Sequence, residues 1–156
     1  MKAASLTEIK KELTYCSKEN LIDYVSRLAR FKKENKELLT YLLFEQSSEE
    51  NYVQEIKKEV TTLFSEINKD SYYYIKKSIR KILRRIKTYS RYSIKKETEI
   101  ELLIFFCEQL KTMKPSYLRN VALTNLYQRQ IVYIRKSLKS LHEDLQYDYN
   151  LMLEEL

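Results

Sequence analysis

Apolar residues recur at three- and four-residue intervals along nearly the whole chain, and no stretch alternates at period two. That pattern predicts helices throughout and no sheet. Ser5 with Glu8 three residues later forms a capping box, which opens a short helix over about 6–15. Ser17 opens a second helix with the stripe Leu21, Val25, Leu28 and Phe31. Asn35 either breaks this helix, or the helix runs on through Leu38, Leu39, Leu42 and Leu43. Ser47 or Ser48, followed by Glu49 and Glu50, starts another through Val53, Ile56, Val60, Leu63 and Ile67. The polar stretch 68–71 ends it, with Asp70 or Ser71 as the next cap.

A helix with a single apolar face follows, built on Ile75, Ile79, Ile82, Leu83 and Ile86, with cations elsewhere on its surface. A short connection is expected around Ser90–Ser93, then a helix through Ile100, Leu103, Ile104, Cys107 and Leu110. Pro115 ends that helix, and Ser116 is placed to cap the last one. From Tyr117 onward nothing interrupts helical spacing. Ile131, Ile134, Leu138, Leu141, Leu145 and Met152 keep nearly a seven-residue repeat, with Tyr149 in the missing position. The expected fold is a single-domain all-α bundle, residues 1–156, of six or seven helices with a long C-terminal helix.

Composition narrows the chemistry. The chain contains no glycine, where about 7% is usual. Phosphate-binding loops, dinucleotide fingerprints and nucleophile elbows all need glycine where the backbone turns sharply or approaches a ligand, so those enzyme classes are excluded. His142 is the one histidine, and Lys139 and Gln146 stand where a second metal ligand one turn away would be needed. Carboxylates alternate with lysines at helical spacing, as in Glu8, Lys11 and Glu12, which is the look of a solvated face. No enzymatic activity, no metal and no cofactor are expected. Cys16 and Cys107 lie 91 residues apart without a C-x-x-C pair and read as reduced thiols. The opening residues carry charge at once and lack an apolar core, so no signal peptide is expected. The longest apolar run, LLIFFC at 102–107, is far short of the ~20 residues that span a bilayer. A cytoplasmic protein is expected.

Charge is the most informative feature. The net charge is +7, and 71–96 holds 10 basic side chains and no acidic one. The flanking stretches are near neutral, with 12 basic and 13 acidic residues over 1–70 and 7 basic and 9 acidic over 97–156. Lys76/Arg80, Lys77/Lys81, Arg80/Arg84, Lys81/Arg85, Lys87/Arg91 and Arg91/Lys95 are like-charge pairs one turn apart. Together they cost roughly 1–3 kcal/mol. The stripe from Ile75 to Ile86 buried in a core, the carboxylates Glu97, Glu99 and Glu101, or an external polyanion would offset this. The candidate anion-binding residues are Lys76, Lys77, Arg80, Lys81, Arg84, Arg85, Lys87 and Arg91, with Tyr73 and Tyr89 as stacking surfaces beside them. Tyr72, Tyr74 and Tyr92 bracket the same helix, whereas Tyr24, Tyr41, Tyr52, Tyr127 and Tyr133 fall at the edges of apolar stripes.

The segments LTEIKKELTYCSKENLIDYVSRLARFKKENKELL, SIRKILRRIK, EIELLIFFCEQL and SLHEDLQYDYN resemble, in order, an uncharacterised bacterial all-helical family known as a domain of unknown function. That resemblance implies the helical fold and no mechanism. The first two helices are similar in outline to the SAP DNA-binding motif, without that motif's turn glycine. The functional expectation is a binding module that presents the basic helix, about 72–91, to an anionic partner, nucleic acid or acidic protein, with little sequence specificity. The competing expectation is an assembly protein, a homodimer through Ile131, Ile134, Leu138, Leu141, Leu145 and Met152, with the basic face merely solvated.

Overall fold

The computed structural model describes Met1–Leu156. It contains eight α-helices and no strand. The chain divides into two compact units, Met1–Phe44 and Glu45–Leu156.

The N-terminal unit holds α1 (Leu6–Leu13), α2 (Lys18–Phe31) and α3 (Lys33–Thr40). The capping box forms as the spacing predicts: the Glu8 amide donates to Ser5 Oγ, and the Ser5 amide donates to the Glu8 carboxylate at 2.8 Å. The Ser5 hydroxyl also donates to the Glu8 carboxylate at 2.7 Å, and this bond, with that from the Ser5 amide, holds the Glu8 carboxyl below its ordinary range. Ser17 caps α2 through a bond from the Asn20 amide. The chain breaks at Lys32, which is extended at φ −141°, three residues before Asn35. Asn35 instead ties the two helices together, donating from its side chain to the Leu28 carbonyl at 2.8 Å. A single π-helical turn, Tyr41–Glu45, follows α3. No residue of α1, α2 or α3 is buried.

The C-terminal unit is built around α6 (Lys96–Thr112). Ile100, Leu102, Leu103, Ile104, Phe106, Cys107 and Leu110 are all fully buried, and at 3.6 residues per turn they cover about 200° of the helix. An apolar face that wide needs cover from several directions, and α4 (Glu49–Ser65), α5 (Tyr72–Ser93), α7 (Val121–Leu138) and α8 (Glu143–Glu154) all pack against it. The α5 stripe Ile75, Ile79, Ile82, Leu83 and Ile86 faces this core and is buried throughout.

Three boundaries differ from expectation. The connection expected at Ser90–Ser93 is helix, because both hydroxyls are satisfied inside the bundle. Ser90 Oγ donates to the Ile86 carbonyl, and Ser93 Oγ donates to the Glu49 carboxylate. The turn comes at Ile94, which adopts a left-handed conformation at φ 59° in a chain that has no glycine to place there. Ser116 caps only a 3₁₀ turn over Tyr117–Arg119, while the Asn120 side chain caps α7 by accepting from the Leu123 amide.

The long C-terminal helix is two helices, which raises the number of helices from the expected six or seven to eight. The Ser140 and Leu141 amides bond to carbonyls three residues back instead of four, and Ser140 Oγ donates to the Ser137 carbonyl, ending α7. An unbroken helix over α7 and α8 would run about 50 Å, against about 33 Å for α5. Its far end would project past the bundle. Folding back places α8 on α6 and α7 and buries Leu153.

Candidate anion-binding surface

The basic helix is stable for reasons internal to the unit. Burying its five apolar side chains contributes on the order of 10 kcal/mol, which outweighs the roughly 1–3 kcal/mol of like-charge repulsion. The packing of Ile75, Ile79, Ile82, Leu83 and Ile86 fixes the rotation of α5, and rotation decides which cations face outward. Lys77, Arg80, Lys81, Arg84, Lys87 and Arg91 are all exposed. At 3.6 residues per turn they fall within about 120° of arc and span about 21 Å of helix.

These six cations make no ion pair: no carboxylate oxygen lies within 4.0 Å of any of them. The acidic residues that could have neutralised the helix hold other cations. Glu101 pairs with Lys57 at 2.6 Å, Glu99 with Lys96 at 2.8 Å, and Glu49 with Lys95 at 3.8 Å. Within the stripe the guanidiniums bond only to their own helix, Arg84 Nε to the Arg80 carbonyl and Arg91 to Thr88 Oγ1.

Not every sequence candidate faces the same way. Arg85 turns toward α4, donating from Nε to Glu59 at 2.9 Å. Tyr89 donates its hydroxyl to the same carboxylate at 2.6 Å, and its ring lies 4.9 Å from the Arg85 guanidinium. The structure therefore places Arg85 and Tyr89 in a half-buried cluster with Glu59, off the stripe. Lys76 is half-buried at the stripe's margin. Tyr73 is 66% exposed and shares the angular position of Lys77 and Arg84, so it stands at the N-terminal end of the stripe. Tyr74 is also exposed, packing edge to face on Tyr73 at 5.3 Å, while Tyr92 is buried and Tyr72 donates to the Ser116 carbonyl.

One wall of the site comes from α7, which sequence reasoning did not assign to it. A groove of about 400 Å³ between α5 and α7 is lined by Arg80, Leu83, Lys87, Arg129, Gln130 and Tyr133, among others. Arg129 is exposed and adds a cation beside Arg80 and Lys87. Lys87 and Lys96 each approach the Tyr133 ring, 5.9 Å from its centroid, and the Tyr133 hydroxyl donates to Glu99 at 2.7 Å. Arg129 lies far along the chain in a segment of ordinary charge, so only the packing of α7 beside α5 reveals it.

None of the remaining sequence candidates lines this groove. His142 caps α8, with Nδ1 accepting from the Asp144 amide at 3.4 Å, and its side chain is 76% exposed. Cys107 is fully buried, and burial pushes its thiol up to about 12, so it is protonated at neutral pH. Cys16 is a free cysteine in the N-terminal unit. No group of three or more His, Cys, Asp or Glu side chains is placed to hold a metal ion. Ile134 and Leu138, two positions of the seven-residue repeat, are buried within the C-terminal unit. Leu141, Leu145 and Met152 are half-buried. No helix is long and apolar enough to cross a membrane. Compared with protein-family models, curated proteins and solved structures, the chain matches none.

Proposed function

We propose that this chain is a non-enzymatic cytoplasmic binding module whose α5 stripe docks an anionic polymer, with nucleic acid favoured over an acidic protein. The observation that carries this reading is the row of six exposed cations, Lys77, Arg80, Lys81, Arg84, Lys87 and Arg91, without a carboxylate partner. Cations held on a rigid helix and not neutralised from within create a field that concentrates polyanions at the surface. Regularly spaced phosphates suit such a row, since each lysine or arginine that meets a phosphate releases condensed counterions. Tyr73, exposed in line with the stripe, supplies a face on which an unpaired base stacks. The stripe carries no Asn or Gln to read adenine and no Asp or Glu to read cytosine, so guanine is the one base its side chains are equipped to read. With phosphate contacts dominant, binding is expected to be weakly sequence-specific.

Fluorescence anisotropy with labelled single- and double-stranded oligonucleotides tests this, with poly-glutamate as competitor. Wild type is expected to bind the oligonucleotides. Changing Lys77, Arg80, Lys81 and Arg84 together to glutamine should weaken binding at least tenfold without shifting the thermal midpoint downward. Absence of oligonucleotide binding at low salt would overturn the nucleic-acid reading, and displacement by poly-glutamate at lower concentration than by nucleic acid would favour an acidic protein.

A further inference from the structure

We infer that the groove between α5 and α7 seats a single strand of nucleic acid, with phosphates held by cations of both helices and unpaired bases turned onto the apolar side chains between them. This rests on the docking of a nucleic acid by the α5 stripe and adds which form of it binds. Charge and shape carry the inference independently.

The charge lies on both sides of the groove. The stretch 97–156 is ordinary in total, yet all seven of its basic side chains fall within 109–142, which holds no acidic one. α7 lies inside that run. The Tyr72 hydroxyl donates to the Ser116 carbonyl ahead of α7. Fifteen residues further along α5, Lys87 approaches the Tyr133 ring, which is seventeen residues beyond Ser116. The two helices therefore run side by side in the same direction, with Arg129 abreast of Arg84 and Lys136 abreast of Arg91. Lys136 is exposed, two turns beyond Arg129 and within about 20° of its angular position. No carboxylate oxygen lies within 4.0 Å of either side chain. A polyanion following the α5 stripe thus meets a second row of cations across the groove. Glu99, the carboxylate near the Tyr133 end, is already paired with Lys96 at 2.8 Å and accepts from Tyr133.

The shape separates a single strand from a duplex. The groove of about 400 Å³ is lined by Leu83, Ala122 and Leu126 as well as by cations, with the Tyr133 ring, 37% exposed, beside Lys87. That volume falls within the range of sites that bury a small organic ligand, so the groove admits a nucleobase. In a duplex the bases are stacked and paired, and only phosphates reach the groove, leaving its apolar lining wet. A single strand splays a base out of its stack. The base then covers Leu83, Ala122 and Leu126 while its flanking phosphates stay on Arg80, Lys87 and Arg129. Contact with apolar and aromatic carbon tolerates every base, in keeping with weak sequence specificity.

The test uses the full chain and three labelled probes of equal length: oligothymidine, an abasic deoxyribose-phosphate oligomer and a DNA duplex. The abasic oligomer keeps the backbone charge and removes the bases. At physiological salt, wild type is expected to bind oligothymidine about tenfold more tightly than either of the others. Ala122→Leu fills the groove with aliphatic volume and touches no cation, and it should close the gap between oligothymidine and the abasic oligomer. A gap that persists in this variant would place the base on Tyr73 instead and overturn the groove. Changing Arg129 and Lys136 together to glutamine should weaken oligothymidine and the abasic oligomer by the same factor of several-fold. If Ala122→Leu does not fold, this pair of exposed residues decides, and unchanged affinity overturns the inference. Equal wild-type affinity for oligothymidine and the abasic oligomer, or tighter binding of the duplex, also overturns it, while the proposed stripe stands if the glutamine variant of α5 still loses binding. No binding of any probe overturns both.

Discussion

Ile94 carries a conformation that glycine takes without cost. Its φ of 59° places a β-branched side chain in the left-handed region, and 87% of its surface is exposed, so no packing rewards the isoleucine. Ile94→Gly is expected to stabilise the chain by about 0.5–1 kcal/mol, read as a higher urea midpoint at unchanged slope; a lower midpoint would show that Ile94 makes a contact worth more than its strain. Burial also shapes the response to alkali. Burial pushes Cys107 from 9.0 and Tyr127 from 10.0 up to about 12. In both, the unfolded chain loses its proton first, so the contribution is fully present below about pH 9 and is lost as pH rises to about 12. The urea midpoint should fall across that window, and less steeply in Cys107→Ala and Tyr127→Phe, each compared with its own value at neutral pH. A parallel fall in all three proteins would assign the alkaline loss to other groups.

Helix ends separate what the sequence discloses from what it does not. The caps at Ser5 and Ser17 were legible because each bond spans only three residues. The end of α5 was not, because Ser90 and Ser93 look like turn residues until Glu49, more than forty residues earlier, is seen to accept from Ser93. The break between α7 and α8 was hidden for a related reason: the seven-residue repeat continues through it, and only the length of the bundle requires the chain to turn back. Asn120 caps α7 through its side-chain oxygen. Asn120→Ala should cost about 1 kcal/mol, and loss of less than a few tenths would mean that Ser116 and the 3₁₀ turn hold that end. The basic stripe was readable because one helix carries all of it. Arg129 and Gln130 were not, because their place beside Arg80 and Lys87 depends on how α7 packs. The same limit explains Arg85 and Tyr89, whose partner Glu59 belongs to another helix.

Apolar residues in the two units have different standing. In the C-terminal unit Phe106 is fully buried and packs on Phe64 at 5.8 Å. In the N-terminal unit Phe31 is 76% exposed, and Leu6, Leu28, Leu43 and Phe44 are exposed as well. Phe106→Ala should cost about 3–5 kcal/mol, whereas Phe31→Ser should change stability by less than about 0.5 kcal/mol; thermal melts of the two variants make the comparison. A large loss at Phe31 would show that this side chain packs against something in solution. The functional account rests on the other unit, where an apolar core orients one helix so that its cations meet water instead of carboxylates. The most direct measurement of that claim is the dependence of oligonucleotide affinity on salt, for wild type and for the chain with Lys77, Arg80, Lys81 and Arg84 changed to glutamine. Six phosphate contacts on a single strand predict that log K falls against log salt with a slope of about −4, and removing four of them predicts about −1.5. Equal slopes for the two proteins would contradict the account.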